Sequence, residues 1–293
     1  MNWKRKSKTD TMRIKTKDGV PYFVFPILED TDLVRHGFST RLGGVSQGHL
    51  SEMNLSFTRG DDPENVRENF RRMGAAIGFD PESLVLSHQT HTTHVRLVTE
   101  EDRGKGFVKP LDYTDVDGMI TDVPGLMLAT FYADCVPLFF VDPINRAIGL
   151  SHSGWKGTVN RMGAVTIEKM KQAFGTDPVH LRAAVGPSIC QDCYEVSEDV
   201  ALAFMQEFKQ YADEQLVYKT SEQKYQLNLW RANEIILLEA GILAEHLAVT
   251  NVCTCCNPDL MFSHRASHGK RGNLGAFLGL TAPSSPTGRG YVR

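Results

Sequence analysis

The sequence predicts an α+β (mixed α/β) fold in which mixed, largely antiparallel β-sheets are flanked by helices. Strand-like segments outnumber helical ones, several of them are adjacent hairpin candidates, and no repeat of fixed period is visible. No Gly/Ser or Pro linker divides the 293 residues. We therefore expect a single domain over residues 21–280, between a flexible N-terminal arm at 1–20 and a flexible C-terminal tail at 281–293.

Periodicity and turn residues place the individual elements. Strands are predicted at 22–25, 33–40, 83–89, 94–99, 118–121, 126–133, 136–141, 147–151, 180–186, around Val249 and at 274–280. Helices are predicted at 63–78, 158–175, 197–208 and 229–241. The first helix is the best marked, because Asp62 can cap it, Pro63 suits the first helical position and Gly78 can end it.

Composition and charge exclude several classes of protein. Lys and Arg number 32 against 35 Asp and Glu, and this net charge of −3 argues against broad nucleic-acid binding. No apolar run approaches the roughly 18 residues of a membrane span, and residues 1–8 lack the apolar stretch of a secretory signal. The 6 cysteines are too few and too clustered for a secreted disulfide framework. We expect a cytoplasmic protein with reduced thiols and with no membrane or nucleic-acid partner.

Histidine and cysteine are concentrated in three places that suggest chemistry. Residues 87–94 contain three histidines at a spacing of three, and in an extended chain His91 faces away from the other two. Asp134-Cys135 follows one apolar strand, and His152 follows another. Each feature alone is better explained by a buried thiol or by an ordinary surface, core or sheet-edge imidazole. Together, one thiolate and two imidazoles make a three-ligand zinc set with a fourth position open to water.

Eight ordered motifs resemble the YlmD/YfiH family. The matching segments are GFSTRLGGVS (37–46), QTH (89–91), DG (117–118), ADCVP (133–137), HSGWKG (152–157), GPSI (186–189), CYEV (193–196) and FSHR (262–265). Proteins of this family were first labelled polyphenol oxidases or laccase-like proteins. They are now described as purine nucleoside phosphorylases that also deaminate adenosine.

The resemblance implies a metal site, an activity and a fold. His91, Cys135 and His152 are the implied ligands of a zinc ion, with copper as the alternative metal, and the implied fold is similar to that of cytotoxic necrotizing factor. The implied reactions are phosphorolysis of adenosine, inosine, guanosine and methylthioadenosine, together with adenosine deamination at the same site. Purine nucleosides and phosphate are thus the expected partners. Thr92 departs from the family, which often has glycine after the first metal histidine.

Phosphorolysis requires fixed cations that hold phosphate near C1′ of the ribose. The candidates within the family motifs are Arg41, Lys156, His264 and Arg265. A Gly-Arg pair that is common near the C-terminus of the family appears here as Gly272-Asn273. The role of that arginine must therefore pass to Arg271 or Lys270.

Deamination also requires a group that transfers a proton to the leaving ammonia. Asp134, adjacent to Cys135, is the candidate general acid/base, and Asp117 is the reserve. An equally good interpretation is that Asp134 is a carboxylate that orients a metal-binding histidine.

Other functions remain open at the level of sequence. Cys135 beside His152 without a metal would be the nucleophile pair of a hydrolase or deamidase. A copper-dependent polyphenol oxidase is disfavoured, because the sequence has no set of paired His-x-His motifs and no axial Met near a His/Cys cluster. The non-enzyme alternative is a regulatory or cell-wall-related protein that binds a nucleotide-linked ligand in the same pocket.

The remaining five cysteines allow two interpretations. Cys190-x-x-Cys193 and Cys253-x-Cys255-Cys256 would together supply a structural Cys₄ zinc site. Their separation of about 60 residues and the Cys-x-Cys half depart from the spacing of zinc ribbons. We therefore predict that these cysteines are buried thiols.

Overall fold

Two six-stranded sheets pack face to face, and helices cover their outer faces. The computed structural model describes residues 3–282. The strands are β1 (Arg13–Lys17), β2 (Val20–Val24), β3 (Val34–Ser39), β4 (Leu84–Leu86), β5 (Val95–Leu97), β6 (Gly118–Thr121), β7 (Met127–Tyr132), β8 (Val136–Asp142), β9 (Ala147–Ser153), β10 (Arg182–Val185), β11 (Glu195–Ser197), β12 (Val217–Ser221), β13 (Lys224–Leu227), β14 (Leu247–Val249) and β15 (Leu274–Leu280). The α-helices are α1 (Pro26–Glu29), α2 (Pro63–Ile77), α3 (Trp155–Val159), α4 (Met162–Phe174), α5 (Glu198–Glu207) and α6 (Leu229–Glu239).

Both large sheets are mixed and largely antiparallel, which confirms the predicted α+β class. The first sheet has the strand order β1-β2-β3-β15-β7-β4, and the second has the order β14-β10-β8-β9-β6-β5. Among the named strands of residues 3–282, parallel pairing is confined to sheet edges, between β4 and β7, β10 and β14, and β5 and β6. A third, three-stranded antiparallel sheet has the order β11-β13-β12.

The strand β8 shows why the core strands are continuous apolar runs. Successive side chains of a strand point to opposite faces of the sheet. Phe139 and Val141 therefore pack into the layer between the two sheets, while Leu138 and Phe140 face the helices on the other side. Since both faces are covered, no position of β8 is left for a solvated polar residue, and the apolar segment predicted at 136–141 is confirmed as a strand.

The helix α2 covers the outer face of the first sheet. The side chain of Asp62 accepts a hydrogen bond from the backbone N–H of Glu64, and Pro63 is the first helical residue. The chain leaves the helix at Gly78 with a φ of 94°, which glycine adopts without strain. Phe70 and its apolar neighbours one turn apart pack against the sheet. The predicted limits of this helix are confirmed.

Some segments differ from the sequence-based expectation. Residues 13–17 form β1, and Arg5 makes an isolated antiparallel bridge with Val252, so much of the segment expected to be a flexible arm is attached to the domain. The helix expected from Thr158 begins at Trp155, and Arg161, with a φ of 60°, separates α3 from α4.

Of the tail expected at 281–293, residues 283–293 lie outside the described residues. None of the helices formed by residues 3–282 combines the length and apolar character needed to cross a membrane.

Candidate metal centre and substrate cavity

Three residues predicted to bind a metal meet where the two large sheets join. His91 lies in the loop between β4 and β5, and Cys135 lies in the turn between β7 of the first sheet and β8 of the second. His152 is part of β9. Their ligand atoms lie within 4.8 Å of one another, with 3.9 Å between Cys135 Sγ and His91 Nε2. A cysteine and two histidines at this separation can hold one metal ion with one coordination position open.

One buried carboxylate positions two of the three ligands. Asp117 Oδ1 accepts a hydrogen bond from His152 Nδ1 at 2.8 Å, which leaves Nε2 of that imidazole for a metal. The same carboxylate accepts the backbone N–H groups of Thr90, His91 and Thr92, each at 3.0 Å. Asp117 is fully buried, so these are strong charge-assisted contacts. It therefore fixes both the ring of His152 and the loop that carries His91.

The backbone is strained at two points beside the ligands. His91 has a φ of 66° and Asp134 has a φ of 89°, both in the left-handed region that non-glycine residues seldom adopt. Each such residue costs about 1 to 3 kcal/mol and is retained only where surrounding contacts determine it. Here those contacts present His91 and Cys135 to the same point in space.

Asp134 connects the turn at Cys135 to three other segments. Its carboxylate accepts hydrogen bonds from Thr254 Oγ1 at 2.6 Å and from the backbone N–H of Arg265 at 2.7 Å. Its backbone carbonyl accepts the N–H of Ile189 at 3.0 Å. Both carboxylate oxygens are thus engaged with neighbouring loops. This pattern favours the interpretation of Asp134 as a positioning residue.

The three ionisable groups of the centre shift one another's pKa. Burial raises the pKa of the Cys135 thiol, but the neighbouring His152 and His91 outweigh burial and lower it to about 6. Burial lowers the pKa of His152, but Cys135 and Asp117 raise it to about 9. Burial raises the pKa of Asp117, whereas the hydrogen bond from His152 lowers it to about 2. Without a metal, Cys135 and His152 form a thiolate–imidazolium pair at neutral pH.

Gly154 leaves the space that the ligands occupy. A Cβ atom at this position would lie 2.9 Å from His91 Cδ2 and 3.1 Å from Cys135 Sγ. A larger residue would therefore displace one or both side chains. The close approach explains why a glycine follows the strand that carries His152.

A cavity of about 680 Å³ opens beside the ligands. Its size falls within the range of small-molecule sites in proteins. His91, Cys135 and His152 contribute to its wall. The remainder of the wall includes aromatic and cationic residues, among them Phe57, Phe107, Phe131, Arg59, Arg67, Lys109 and Arg271.

Arg271 is a cation of this wall that has an unpaired hydrogen-bond donor. Its Nε atom is buried and has no hydrogen-bond partner. Burial and the nearby charge of Arg59 lower the pKa of Arg271 to about 10. Two neighbouring cations with an unpaired donor favour an anionic ligand. Arg271 is one of the two residues predicted from the sequence to replace the arginine of the family's Gly-Arg pair.

The structure places the other predicted cations at different points. The guanidinium of Arg41 donates to the carbonyls of Ser51 and Pro258, and it lies over the ring of Phe262. The guanidinium of Arg265 donates to the carbonyls of Cys193 and Glu195 at 3.1 and 2.7 Å. Both side chains hold backbone segments together.

Lys156 and His264 are both exposed. Lys156 Nζ lies over the ring of Trp155, the first residue of α3. His264 lies near Arg271, Arg59 and Asp134, and burial and the arginines lower its pKa. The residues at 3–282 that line the cavity do not include Arg41, Lys156 or Arg265.

Sequence reasoning missed most of the cavity wall. Phe57 and Arg59 lie in the loop before α2, and Phe107 and Lys109 lie in the loop between β5 and β6. These loops show no spacing that marks them as functional. The available signal is an aromatic residue with a basic residue two positions later, as in Phe57-x-Arg59 and Phe107-x-Lys109. That pattern is common in surface loops.

The fold and the site define an α+β protein in which a cysteine and two histidines that could hold a metal ion lie at the edge of a cavity of small-molecule size. The sequence profile of the family described as "Multi-copper polyphenol oxidoreductase laccase" matches residues 35–281. The chain belongs to this family.

The chain is also similar to named proteins and to a solved structure over most of its length. The chain is 36% identical over 247 residues to "Purine nucleoside phosphorylase YlmD" of Bacillus subtilis strain 168, an alignment that covers 83% of this chain and 87% of that protein. It is 32% identical over 231 residues to "Adenosine deaminase RL5" of an unknown prokaryotic organism, covering 78% of this chain and 87% of that one. The crystal structure of YfiH from Bacillus licheniformis superimposes with a TM-score of 0.86 at 30% identity, covering 93% of this chain and 100% of that one.

Proposed function

We propose that the chain is a metal-dependent purine nucleoside phosphorylase that also deaminates adenosine. The observation that carries the proposal is one cavity lined by His91, Cys135 and His152 and also by the cations Arg59 and Arg271. Deamination needs an activated water beside the purine, and phosphorolysis needs phosphate held beside the ribose. The names of the relatives support both activities.

The ligand set suits zinc. One thiolate and two imidazoles are donors that Zn²⁺ binds in tetrahedral geometry, and the fourth position remains available to water. Asp117 orients His152 for this role, and Gly154 provides the space. A Zn²⁺ held by these three residues would supply Lewis acidity and would lower the pKa of a bound water to about 7. Copper, which the family description names, is the alternative metal.

Arg271 and Arg59 are the proposed phosphate-binding residues. The unpaired Nε of Arg271 and the proximity of Arg59 support this role, because a phosphate dianion would satisfy the donor and relieve the repulsion. His264, which lies near both arginines, is proposed to assist. Arg41 and Arg265 are proposed to hold the loops around the site, since their guanidinium groups already donate to carbonyl oxygens.

The aromatic wall is the proposed binding surface for the purine. Phe57 stacks on Phe70, while Phe107 and Phe131 contact the same ring edge-on. These contacts fix the three wall residues, so the surface is formed before a ligand arrives. Aromatic walls can stack on a purine ring without reading its ring substituents. We therefore propose adenosine, inosine, guanosine and methylthioadenosine as substrates.

His88 is the proposed group for proton transfer to the leaving group. It is exposed and lines the cavity, and histidine is the side chain that most often transfers protons near neutral pH. Asp134 and Asp117 are instead proposed to position Cys135, His152 and His91, because their carboxylate oxygens are engaged in the hydrogen bonds described above.

A second candidate function is a metal-free cysteine hydrolase or deamidase. The lowered pKa of Cys135, about 6, and the adjacent His152 favour it, since a thiolate beside an imidazolium is a nucleophile pair. In that enzyme Cys135 would attack the substrate directly. Metal content separates this candidate from the phosphorylase.

The decisive experiment combines metal analysis with product identification. Purified protein is assayed on adenosine and inosine, with and without phosphate, before and after removal of metal by a chelator. We expect adenosine to yield inosine and ammonia in both buffers. Free base and ribose 1-phosphate should form only when phosphate is present, and zinc addition should restore both reactions to the chelated protein.

Three results would contradict the proposal. Base release at full rate without phosphate would indicate hydrolysis. Full activity of the metal-free protein, together with alkylation of Cys135 that blocks turnover, would indicate the cysteine hydrolase. Binding of nucleosides without turnover in any of these buffers would indicate a binding protein.

A further inference from the structure

Four cysteines from two distant segments converge on one point away from the candidate metal centre. Cys190 and Cys193 precede β11, and Cys253 and Cys256 lie in the turn after β14. Their four sulfur atoms lie within 4.8 Å of one another, and all four thiols are free of disulfides. The sequence predicts buried thiols, because the two segments are about 60 residues apart and the second contains Cys253-x-Cys255. The converging pair is instead Cys253-x-x-Cys256, and Cys255 is not a member.

The fold brings the two segments together through backbone contacts. Ser188 and Cys253 form a parallel bridge, and the N–H of Thr254 donates to the carbonyl of Ser188 at 3.1 Å. Each segment then presents two cysteines three residues apart, the spacing with which one turn supplies two ligands to a structural zinc ion. The two segments are about 60 residues apart along the chain, but the bridge makes them neighbours in space, so they can share one metal ion.

The sulfur–sulfur distances fit a tetrahedral ion. Cys193 Sγ lies 3.5 Å from Cys256 Sγ, and Cys190 Sγ lies 3.9 Å from Cys256 Sγ. A regular tetrahedron with Zn–S bonds of about 2.3 Å has edges of about 3.8 Å. A disulfide, by comparison, needs about 2.05 Å. The cluster therefore has the dimensions of a metal site.

The surroundings of the cluster suit a group of thiolates. The backbone N–H groups of Cys190 and Cys256 both point at Cys253 Sγ, at 3.2 and 3.4 Å. Such N–H contacts stabilise charge on a ligating sulfur. Lys6 Nζ donates a hydrogen bond to Asp192 Oδ2 at 2.8 Å, and Asp192 lies between Cys190 and Cys193 in the sequence. The ammonium of Lys6 also interacts with the charges of Cys190 and Cys256, in a site that would carry a net negative charge with Zn²⁺ bound.

We infer that Cys190, Cys193, Cys253 and Cys256 hold a second zinc ion, whose role is structural. Four thiolates complete a tetrahedral shell, so this site has no open position for water or substrate. Tetrahedral sulfur sites select zinc or iron, and the absence of an open position makes this ion a clamp between two loops.

The clamp supports the candidate metal centre from outside. Thr254, next to Cys253, donates to the carboxylate of Asp134, and the guanidinium of Arg265 donates to the carbonyl of Cys193. Asp134 directly precedes the proposed ligand Cys135. Loss of the second zinc should therefore loosen the turn that presents Cys135, although the two ions share no ligand.

The test uses cobalt in place of zinc in the Cys135→Ser protein. Thiolate ligands give Co²⁺ an intense charge-transfer absorption, and in this variant the candidate metal centre has no thiolate left. We expect one equivalent of Co²⁺ per chain to show that absorption together with the visible bands of a tetrahedral ion. Adding Cys193→Ser should reduce the thiolate absorption and the bound metal several-fold. Adding Cys255→Ser, the matched control in the same turn, should change neither.

Several outcomes would overturn the inference. One is a Cys135→Ser protein without thiolate absorption; this result does not depend on whether the Cys193→Ser protein folds. Equal loss of the absorption in the Cys255→Ser variant would show a different ligand set. A Cys193–Cys256 disulfide in the reductant-free protein, detected by mass spectrometry, would replace the metal. Iron in place of zinc in the isolated protein would refute the identity of the ion. None of these measurements depends on nucleoside turnover.

Discussion

At the scale of single residues, Arg271 and Lys156 make opposite predictions for phosphorolysis. Arg271 lines the cavity with an unpaired Nε, whereas Lys156 is exposed over Trp155. We expect Arg271→Gln to lower the phosphorolysis of inosine on the order of 10²-fold, the usual effect of removing one preorganised charge. Deamination of adenosine should fall much less. The measurement is kcat/KM for both reactions in the same preparation.

The matched control is Lys156→Gln, which removes a charge of the same sign outside the cavity. It should leave both reactions close to the parent rates. A loss of phosphorolysis in Lys156→Gln as large as that in Arg271→Gln would show that Lys156, the residue in the family motif, binds phosphate. That result would contradict the assignment of the cavity as the phosphate site. An equal effect of Arg271→Gln on both reactions would refute separate sites for phosphate and water.

The convergence of single residues was predictable where the residue type is informative. Cysteine and histidine are rare and bind metals, so His91, Cys135 and His152 stood out together with the family motifs. Arginine is common on surfaces and is less informative. Arg41 and Arg265 lie within matching motifs, yet their guanidinium groups donate to backbone carbonyls, and only the fold reveals those acceptors.

At the scale of elements, the start of α3 constrains the metal centre. Gly154 is the residue before α3, and its missing Cβ is what lets His91 and Cys135 approach. We expect Gly154→Ala to leave the protein folded, because the exposed ring of His91 can move. Displacing a ligand should lower zinc affinity on the order of 10- to 100-fold, comparable to changes in groups that orient ligands.

A matched variant exists three residues further along the chain, inside α3. Gly157→Ala would place its Cβ 3.4 Å from the carbonyl oxygen of His152, an ordinary contact. Zinc affinity, measured by competition with a chelator, should stay at the parent value in this variant. Retention of full affinity by Gly154→Ala would show that the ligands do not require the close approach.

The elements themselves were predictable where burial imposes a pattern. The strand β8 is covered on both sides and is apolar from Val136 to Val141, and the buried strand β9 begins with the apolar segment 147–150. In contrast, β1 and β12 are mostly exposed and polar, so their sequences contain neither an apolar run nor an alternation. Their pairing is decided by backbone contacts to β2 and β13, which no local pattern records.

At the scale of the whole molecule, pH couples metal binding to the charge state of the centre. The pKa of Cys135 falls from 9.0 to about 6, so stabilisation by the thiolate is lost as the pH drops through 6. The pKa of His152 rises from 6.5 to about 9, so stabilisation by the imidazolium is lost as the pH climbs through 9. The ion pair of the metal-free protein therefore persists between these two values.

Zinc must displace the proton of His152 within that window, while Cys135 is already a thiolate. The affinity of this site for zinc should consequently rise about tenfold per pH unit from 6 to 9 on account of His152 and flatten above it. Chelator competition on the metal-free protein across this range measures the slope. Asp117→Asn should make the rise shallower, because it removes a charge that raises the pKa of His152, whereas Asp122→Asn at the exposed far end of β6 should not. An affinity independent of pH would contradict the imidazolium.

The position of β15 has a consequence for how the protein is made. This strand is formed by residues 274–280, yet it lies in the middle of the first sheet, between β3 and β7. During translation β3 and β7 emerge long before their shared neighbour, so the sheet stays split until the ribosome has passed residue 280. Cys135 lies in the turn after β7. A nascent chain that still lacks β15 would therefore expose the Cys135 thiol beside an incomplete sheet. Metal loading should be a late event in biosynthesis, after the last of these strands has inserted.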